Sequence, residues 1–487
     1  MTPPRDRSRA ARRGGPTTPR DAALAVVRAL RADGRCALFA GGCVRDELLG
    51  REPSDYDVAT DATPDDVDRL FPRSRGVGRS FGVVLVRTRG HTIEVATFRS
   101  DASYSDRRRP DAVRFSTPRE DALRRDFTAN ALFLDPLAGP ADPPPPDPDG
   151  ADAPATRPGP LGGLALDYVG GLIDLDQRVL RAVGDPGERL AEDHLRALRA
   201  ARFAARLGFA VDPDTAAAVR DHAAQLAGVS RERVGDELRK LLAHPARARG
   251  VALLHALGLA GEVLGPLLSR DAAHAFGDEP DRRPRVLASL PDDARPMTAL
   301  AAWLLDVELA GVRSGDASPV SLASVAERAR DAARRLRDRL CLTNDETADL
   351  AELLELAAAF AGSWRDAGVA GKKRLAARRL RAPALHLLRG VDPDAADRTQ
   401  REIQRLARHP GGLAPDPIVT GDHLIEAGFA PSREFGGWLR ALYDRQLEGR
   451  LPDRATALRL VREWTLDPDR KPNATPPESG PGGSKPA

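Results

Sequence analysis

Apolar and polar positions change period several times along the chain, and each change marks an element. Asp21–Ala32 repeats its apolar residues at helical spacing and predicts an amphipathic helix leading into Cys36–Ala40, a short apolar run bounded by glycines that fits a buried strand. The Gly41-Gly42 pair allows a tight turn, Cys43–Leu49 fits two helical turns, and Gly50 is the stop. Asp55 and Asp57 fall on what reads as the next strand, and Pro64 opens a helix to about Phe71. Residues 82–86 and 92–96 alternate around Arg89-Gly90 as a hairpin, and the polar, charged stretch 99–110 reads as a loop. Arg119–Leu132 leads into an apolar helix, 138–164 is Pro/Gly-rich and reads as a disordered insertion, and 167–186 holds the last strands. From about 188 to 260 the period is helical, 268–296 is polar and Pro-rich, and 321–340, 346–361, 371–390 and 394–408 are further amphipathic helices. The class is therefore α+β: a mixed sheet with helices at the N-terminal end, then an all-α remainder.

Composition adds limits rather than direction. A chain of 487 residues holds several domains, and 41% apolar residues suffices for their cores. The net charge of +3 does not announce a nucleic-acid binder. Its cations are nearly all arginine, suited to bidentate phosphate contacts, although a GC-rich genome gives the same bias. Cys36, Cys43 and Cys341 are odd in number and lack metal spacing, which points to a reducing cytoplasm. No apolar stretch approaches a membrane span and no apolar segment follows the N-terminus, so neither membrane nor signal peptide is expected.

The chemistry gathers first at residues 36–60. A glycine turn that opens a helix presents unpaired N–H groups to a phosphate chain, with Arg45 in the first turn. Asp55 and Asp57, two apart on a strand, project on one face and repel unless a cation lies between them. Mg²⁺ binds in this way, through one or two carboxylates plus substrate phosphates, and a metal pair activates an attacking hydroxyl. Glu94 stands on the second hairpin strand as either a third acidic group or the partner of a nearby arginine.

Gly41-Gly42-Cys43-Val44-Arg45-Asp46, followed by Asp55-Tyr56-Asp57-Val58-Ala59-Thr60, resembles the active-site motif of the nucleotidyltransferase superfamily, in its class II branch of CCA-adding enzymes and bacterial poly(A) polymerases. Arg124-Arg125-Asp126-Phe127-Thr128 resembles the second motif of that branch. The resemblance implies that Arg125 contacts the nucleotide and that Asp126 sits close enough to serve the metal site. Glu192-Asp193-His194-Leu195-Arg196 resembles its third. On one helix, Asp193 and Arg196 are neighbours at i,i+3. A carboxylate accepts and a guanidinium donates, so the pair suits cytosine and adenine, each with an amino donor beside a ring-nitrogen acceptor, and rejects guanine and uracil. The other reading is a surface ion pair. Arg199 continues the stripe, and Arg202 lands between Leu195 and Leu198 on the apolar side, where it needs an anionic partner.

The resemblance implies a basic tail at 1–20, a nucleotidyltransferase head at 21–187, a helical neck at 188–260, a body at 261–410, a tRNA-binding tail at 411–465 and a disordered end at 466–487. In it the 99–110 loop closes over the incoming nucleotide. It further implies template-independent addition of C, C and A to tRNA from CTP and ATP. Asp55 and Asp57 hold Mg²⁺, Gly41, Gly42, Arg45 and Arg125 hold the triphosphate, and Asp193, Arg196, Arg199 and Arg202 select the base. No protein partner is implied. A-only addition, and a non-catalytic RNA-binding protein on the same fold, remain as alternatives. Leu300–Asp306 has the look of a metal phosphohydrolase helix, but Leu305 stands where a histidine is required, so no second hydrolase is expected.

Overall fold

The computed structural model describes residues 17–72, 74, 82–102, 112–144, 153–265, 276, 283–313, 334–409 and 411–466, the side chains of 100–102, 112–115 and 311–313 excepted. The basic tail before residue 17, most of the charged loop, the centre of the Pro-rich insertion, most of the predicted helix 321–340 and the end beyond 466 lie outside these residues.

Helix α1 (Pro19–Ala32) starts where Thr18 and Asp21 cap each other reciprocally, with Pro19 at its first position. Its buried face, Ala22, Ala23, Val26, Val27 and Leu30, is fully enclosed. Strand β1 (Ala37–Ala40) follows, buried along its whole length. Then come α2 (Gly42–Leu48), β2 (Asp57–Thr60) and α3 (Pro64–Leu70), the last capped by Thr63. β3 (Val83–Thr88) and β4 (His91–Thr97) form the hairpin. Its turn residues Arg89 and Gly90 both have positive φ, 50° and 84°, which is the geometry that matches strand twist. β5 (Arg99–Ala102) and β6 (Ala112–Phe115) pair with each other, and α4 (Pro118–Leu123), β7 (Phe133–Asp135), β8 (Ala155–Pro158) and β9 (Leu164–Asp167) complete the sheet region. The seven-stranded sheet runs β3-β4-β2-β1-β7-β9-β8, with β2 and β4 parallel and the other neighbours antiparallel. Its mixed character agrees with the α+β expectation.

Beyond the sheet lie α5 (Gly171–Gln177), β10 (Val179–Leu180), α6 (Pro186–Glu192), α7 (Leu195–Leu207), β11 (Ala210–Val211), α8 (Pro213–Asp221) and α9 (Arg231–Ala243). The chain divides into two compact units, Met1–Leu241 with Arg249–Gly265, and Leu242–Ala248 with Pro266–Ala487. Among described residues the second unit is helical. Its Asp306 is a capping group: the carboxylate accepts N–H bonds from Val286 (2.8 Å) and Leu287 (2.9 Å) at the start of helix Arg285–Ala288. Helices Gly421–Glu426, Phe435–Leu447 and Arg454–Leu466 close around Trp438, Leu442 and Trp464, a cluster with its own apolar core. All four tryptophans, Trp303, Trp364, Trp438 and Trp464, belong to the second unit and are buried.

Five expectations are corrected. Asp193 and Arg196 do not share a helix: α6 ends at Glu192, Asp193 is extended (φ −152°, ψ 101°), and α7 begins at Leu195. Asp55 precedes β2 instead of lying in it. The apolar stretch after Asp126 is a 3₁₀ turn (Thr128–Asn130) and strand β7, and Gly171–Gln177 is a helix. The 138–164 segment is not wholly irregular, because β8 pairs with β9 and Arg157 binds Asp176 at 2.6 Å. β8 is an exposed edge strand that needs no apolar alternation, so composition hid it.

The β8–β9 turn depends on Gly163, whose φ is +97° and where a Cβ would meet Asp135 O at 2.6 Å and Leu134 Cδ2 at 2.8 Å. Gly163→Ala is expected to cost about 1–3 kcal/mol, read as a lowered Tm of the head by calorimetry. An unchanged Tm would show that the turn is not built into the sheet.

Candidate functional site

The first unit contains a cleft of about 530 Å³ lined by Gly41, Gly42, Arg45, Asp55, Asp57, Arg125, Asp126, Asp193, Arg196, Arg199 and Arg202, so every site residue read from the sequence faces one space. Glu94 lines an adjoining pocket of about 210 Å³ that shares Asp57, Arg124 and Arg125 with the cleft.

One wall comes from the glycine turn. Gly41 has φ +73°, and a Cβ there would sit 2.8 Å from Arg125 Nη1, so glycine makes room for the guanidinium as well as for the turn. Arg45 is buried and fixed: it pairs with Asp46 at 2.7 Å and donates to Asn130 Oδ1 at 2.5 Å. Arg125 lies over the Phe133 ring, 4.8 Å from its centroid. Behind it stands Asp121, buried in the first turn of α4. One of its oxygens accepts from Arg124 Nε and Nη2 (2.9 and 2.6 Å), the other from Arg125 Nε and Nη2 (3.0 and 2.9 Å). Burial pushes its pKa up, but the two guanidiniums outweigh burial and hold it below the ordinary carboxylate value.

The acidic wall joins two strands. Asp57, the first residue of β2, is the register partner of Glu94 on β4. Burial, then the charge of Glu94, then that of Asp55, push the Asp57 pKa up to about 7. Glu94 is raised in the same direction, by burial and by Asp55. Three mutually repelling carboxylates, with Asp57 half-buried and Asp55 and Glu94 exposed, suit a bound cation, whose charge removes the penalty each imposes on the others. Among the described residues no three His, Cys, Asp or Glu side chains form a protein-only metal cage. A hard divalent ion that also draws on substrate phosphates fits this donor set.

Asp126 is used differently. Its Oδ2 accepts from Arg199 Nε and Nη2 (2.8 and 2.6 Å), and its Oδ1 accepts from the Phe127 N–H (2.8 Å) and Asn130 Nδ2 (3.2 Å). Burial raises its pKa, and Arg199 more than reverses that. It is committed to orienting Arg199 instead of joining the acidic wall.

The third wall is α7 with the residues before it. Arg196 donates to Glu192 Oε2 (2.5 Å) and to the carbonyls of Arg189 (2.7 Å) and Arg124 (3.2 Å). Arg202, on the apolar face as its position required, is buried and bonded to Glu237. Phe203 gathers three guanidiniums, with Arg202, Arg199 and Arg45 at 4.1, 5.1 and 5.8 Å from its ring centroid. Sequence reasoning missed Asp121, Asn130, Phe203 and Arg233. For Asp121 the signal was present, since Arg124 and Arg125 follow at i,i+3 and i,i+4.

Comparison with known proteins places this cleft in context. Residues 37–181 match the family of the poly A polymerase head domain, and 208–271 match a probable RNA- and SrmB-binding site of polymerase A. The CCA-adding enzyme of Geobacillus stearothermophilus is 40% identical over 238 residues, 49% of this chain and 53% of that protein. The CCA-adding enzyme of Streptococcus mutans is 38% identical over 282 residues, 58% of this chain and 62% of that protein. The chain thus spans little more than half the length of these curated relatives. The crystal structure of the Bacillus stearothermophilus CCA-adding enzyme in complex with CTP superposes with a TM-score of 0.63 at 26% identity, over 92% of this chain and 99% of that one.

Asp121→Asn removes the charge that orients Arg124 and Arg125. Binding of a nucleoside triphosphate, followed by calorimetric titration, is expected to weaken about tenfold, the worth of a charge-assisted hydrogen bond. Wild-type affinity would show that the two arginines do not need Asp121.

Proposed function

We propose that the chain is a member of the class II family of CCA-adding enzymes and bacterial poly(A) polymerases, which its matches resemble, and that it adds C, C and A to the 3′ end of tRNA from CTP and ATP, without a nucleic-acid template. The observation that carries this reading is one cleft in which Asp55 and Asp57, with Glu94 beside them in the adjoining pocket, face an arginine wall that includes Arg45 and Arg125. The tRNA 3′-hydroxyl attacks the α-phosphorus of the nucleotide. The hydroxyl gives up its proton to water as the O3′–Pα bond forms, the bond from Pα to the bridging oxygen breaks, and pyrophosphate leaves with the electron pair.

Asp55 and Asp57 hold a divalent metal, and Mg²⁺ is the ion whose preference for carboxylates and phosphate oxygens fits best. When bound, it supplies charge stabilisation at the reacting phosphate and favours the attacking alkoxide. Glu94 is the third acidic residue in preference to Asp126, whose oxygens are engaged by Arg199, Asn130 and the Phe127 N–H. Gly42, Arg45 and Arg125 position the triphosphate, and pre-aimed guanidiniums need little reorganisation as charge shifts to the leaving pyrophosphate. Asp193 and Arg196 select the base. Arg196 has five N–H groups and keeps donors beyond those engaged by Glu192 and the two carbonyls. Cations on the helices of 411–465 meet tRNA phosphates, which makes the interaction salt-dependent. No described helix is long and apolar enough to cross a membrane, and a cytoplasmic location accords with the substrate.

The direct test offers tRNA lacking CCA, tRNA ending in CC and an unrelated RNA, with each nucleotide separately. Addition to tRNA alone, stopping at CCA, is expected. Long A tails on the unrelated RNA would replace this reading with poly(A) polymerase. Asp55→Ala or Asp57→Ala is expected to abolish turnover while tRNA binding in a gel-shift assay stays near wild type. Turnover at the normal rate in either variant would remove the metal assignment. Glu94→Gln is expected to lower kcat at least tenfold with the nucleotide KM little changed, as for an interaction used in the transition state; a kcat equal to wild type would return Glu94 to a merely electrostatic neighbour.

A further inference from the structure

Asp193 does not meet Arg196 in the way that their spacing suggests. It sits in the extended break between α6 and α7, where no helix backbone fixes its side chain. Two bonds aim it instead. Its Oδ1 accepts the Leu195 N–H at 3.1 Å, and its Oδ2 accepts Arg233 Nη2 at 2.6 Å. Arg233 belongs to α9 and itself lines the cleft. One helical turn further on, Glu237 of the same helix binds Arg202 of α7. Residues four apart share a helix face, so one face of α9 holds two groups, the Asp193 carboxylate just before α7 and the Arg202 guanidinium on α7.

We infer that Arg233 is a specificity-positioning residue: it holds the Asp193 carboxylate in the orientation that accepts the amino group of cytosine or adenine. This rests on the base-reading role proposed for Asp193. The side chains of the pair are about a third and a quarter exposed (32% and 24%), so as an ion pair they add little to folding. Their effect lies in orientation. With Arg233 removed, only the Leu195 N–H still fixes the carboxylate, which then turns to other rotamers and presents its acceptor poorly. A purine or pyrimidine that lacks the amino donor loses less by this than cytosine or adenine does. Selectivity therefore falls more than overall activity.

The experiment measures kcat/KM for CTP, ATP, UTP and GTP on tRNA substrates with the full-length protein, comparing wild type, Asp193→Ala and Arg233→Ala, each with its Tm. Arg233→Ala is expected to shrink the preference for CTP over UTP about tenfold, the scale of one charge-assisted hydrogen bond. Arg233→Lys, which restores the charge without the guanidinium geometry, should recover part of it. Loss of the same factor with all four nucleotides, or wild-type ratios in Arg233→Ala, overturns the inference, since a purely structural contact lowers activity without changing choice. Should Arg233→Ala fail to fold, Arg233→Gln is read by the same ratios. If Asp193→Ala also keeps wild-type ratios, the base-reading role itself fails. If Asp193→Ala relaxes choice and Arg233→Ala does not, only the role of Arg233 is lost.

Discussion

The cleft depends on one repeated interaction: a guanidinium that faces the substrate space is held from behind by a carboxylate. Asp46 holds Arg45, Asp121 holds Arg124 and Arg125, Asp126 holds Arg199, and Glu237 holds Arg202. Such pairs are costly to bury and add little to stability compared with apolar packing of the same volume. Their value is that several positive groups can stand close together without repelling one another apart, each in a fixed direction. Phe203, packed among three of them, fills the space between with a ring face that cations favour. The same pairing explains how a site so rich in arginine belongs to a chain with a net charge of only +3.

The scaffold supplies the fixed points. β1 and β2 carry the glycine turn and Asp57 from the middle of the sheet, and β4 sets Glu94 beside Asp57 through backbone register. A register is a rigid constraint: a shift of one residue would turn Glu94 to the other face. Helices contribute the opposing groups, which makes the cleft a meeting of sheet-borne acids and largely helix-borne bases. On the acidic side burial comes first in driving the Asp57 pKa upward, followed by the charges of Glu94 and Asp55, which Arg125 offsets only in part.

Much of this was legible in local patterns. The strand–turn–helix at 36–50, the Arg89-Gly90 hairpin and the need of Arg202 for an anion all follow from residues close in sequence. What stayed hidden is of three kinds. A single extended residue between two helices, Asp193, leaves the apolar period almost intact, so periodicity runs α6 and α7 together. The partners of the site are remote: Arg199 reaches Asp126 across 73 positions, and Arg233 reaches Asp193 across 40. Charge patterning along the chain says that an arginine needs an acid, but only the fold says which one. β8 was hidden for a third reason, since an edge strand made of Ala, Thr, Arg and Pro carries no apolar signal.

The distribution of tryptophan has a spectroscopic consequence. With Trp303, Trp364, Trp438 and Trp464 all in the second unit, the unit that holds the cleft contains no indole at all. Intrinsic emission excited at the red edge therefore watches the helical unit and is blind to the one that holds the cleft. A tryptophan placed in the head would give that unit its own optical signal, and the two could then be unfolded side by side in a single cuvette and told apart.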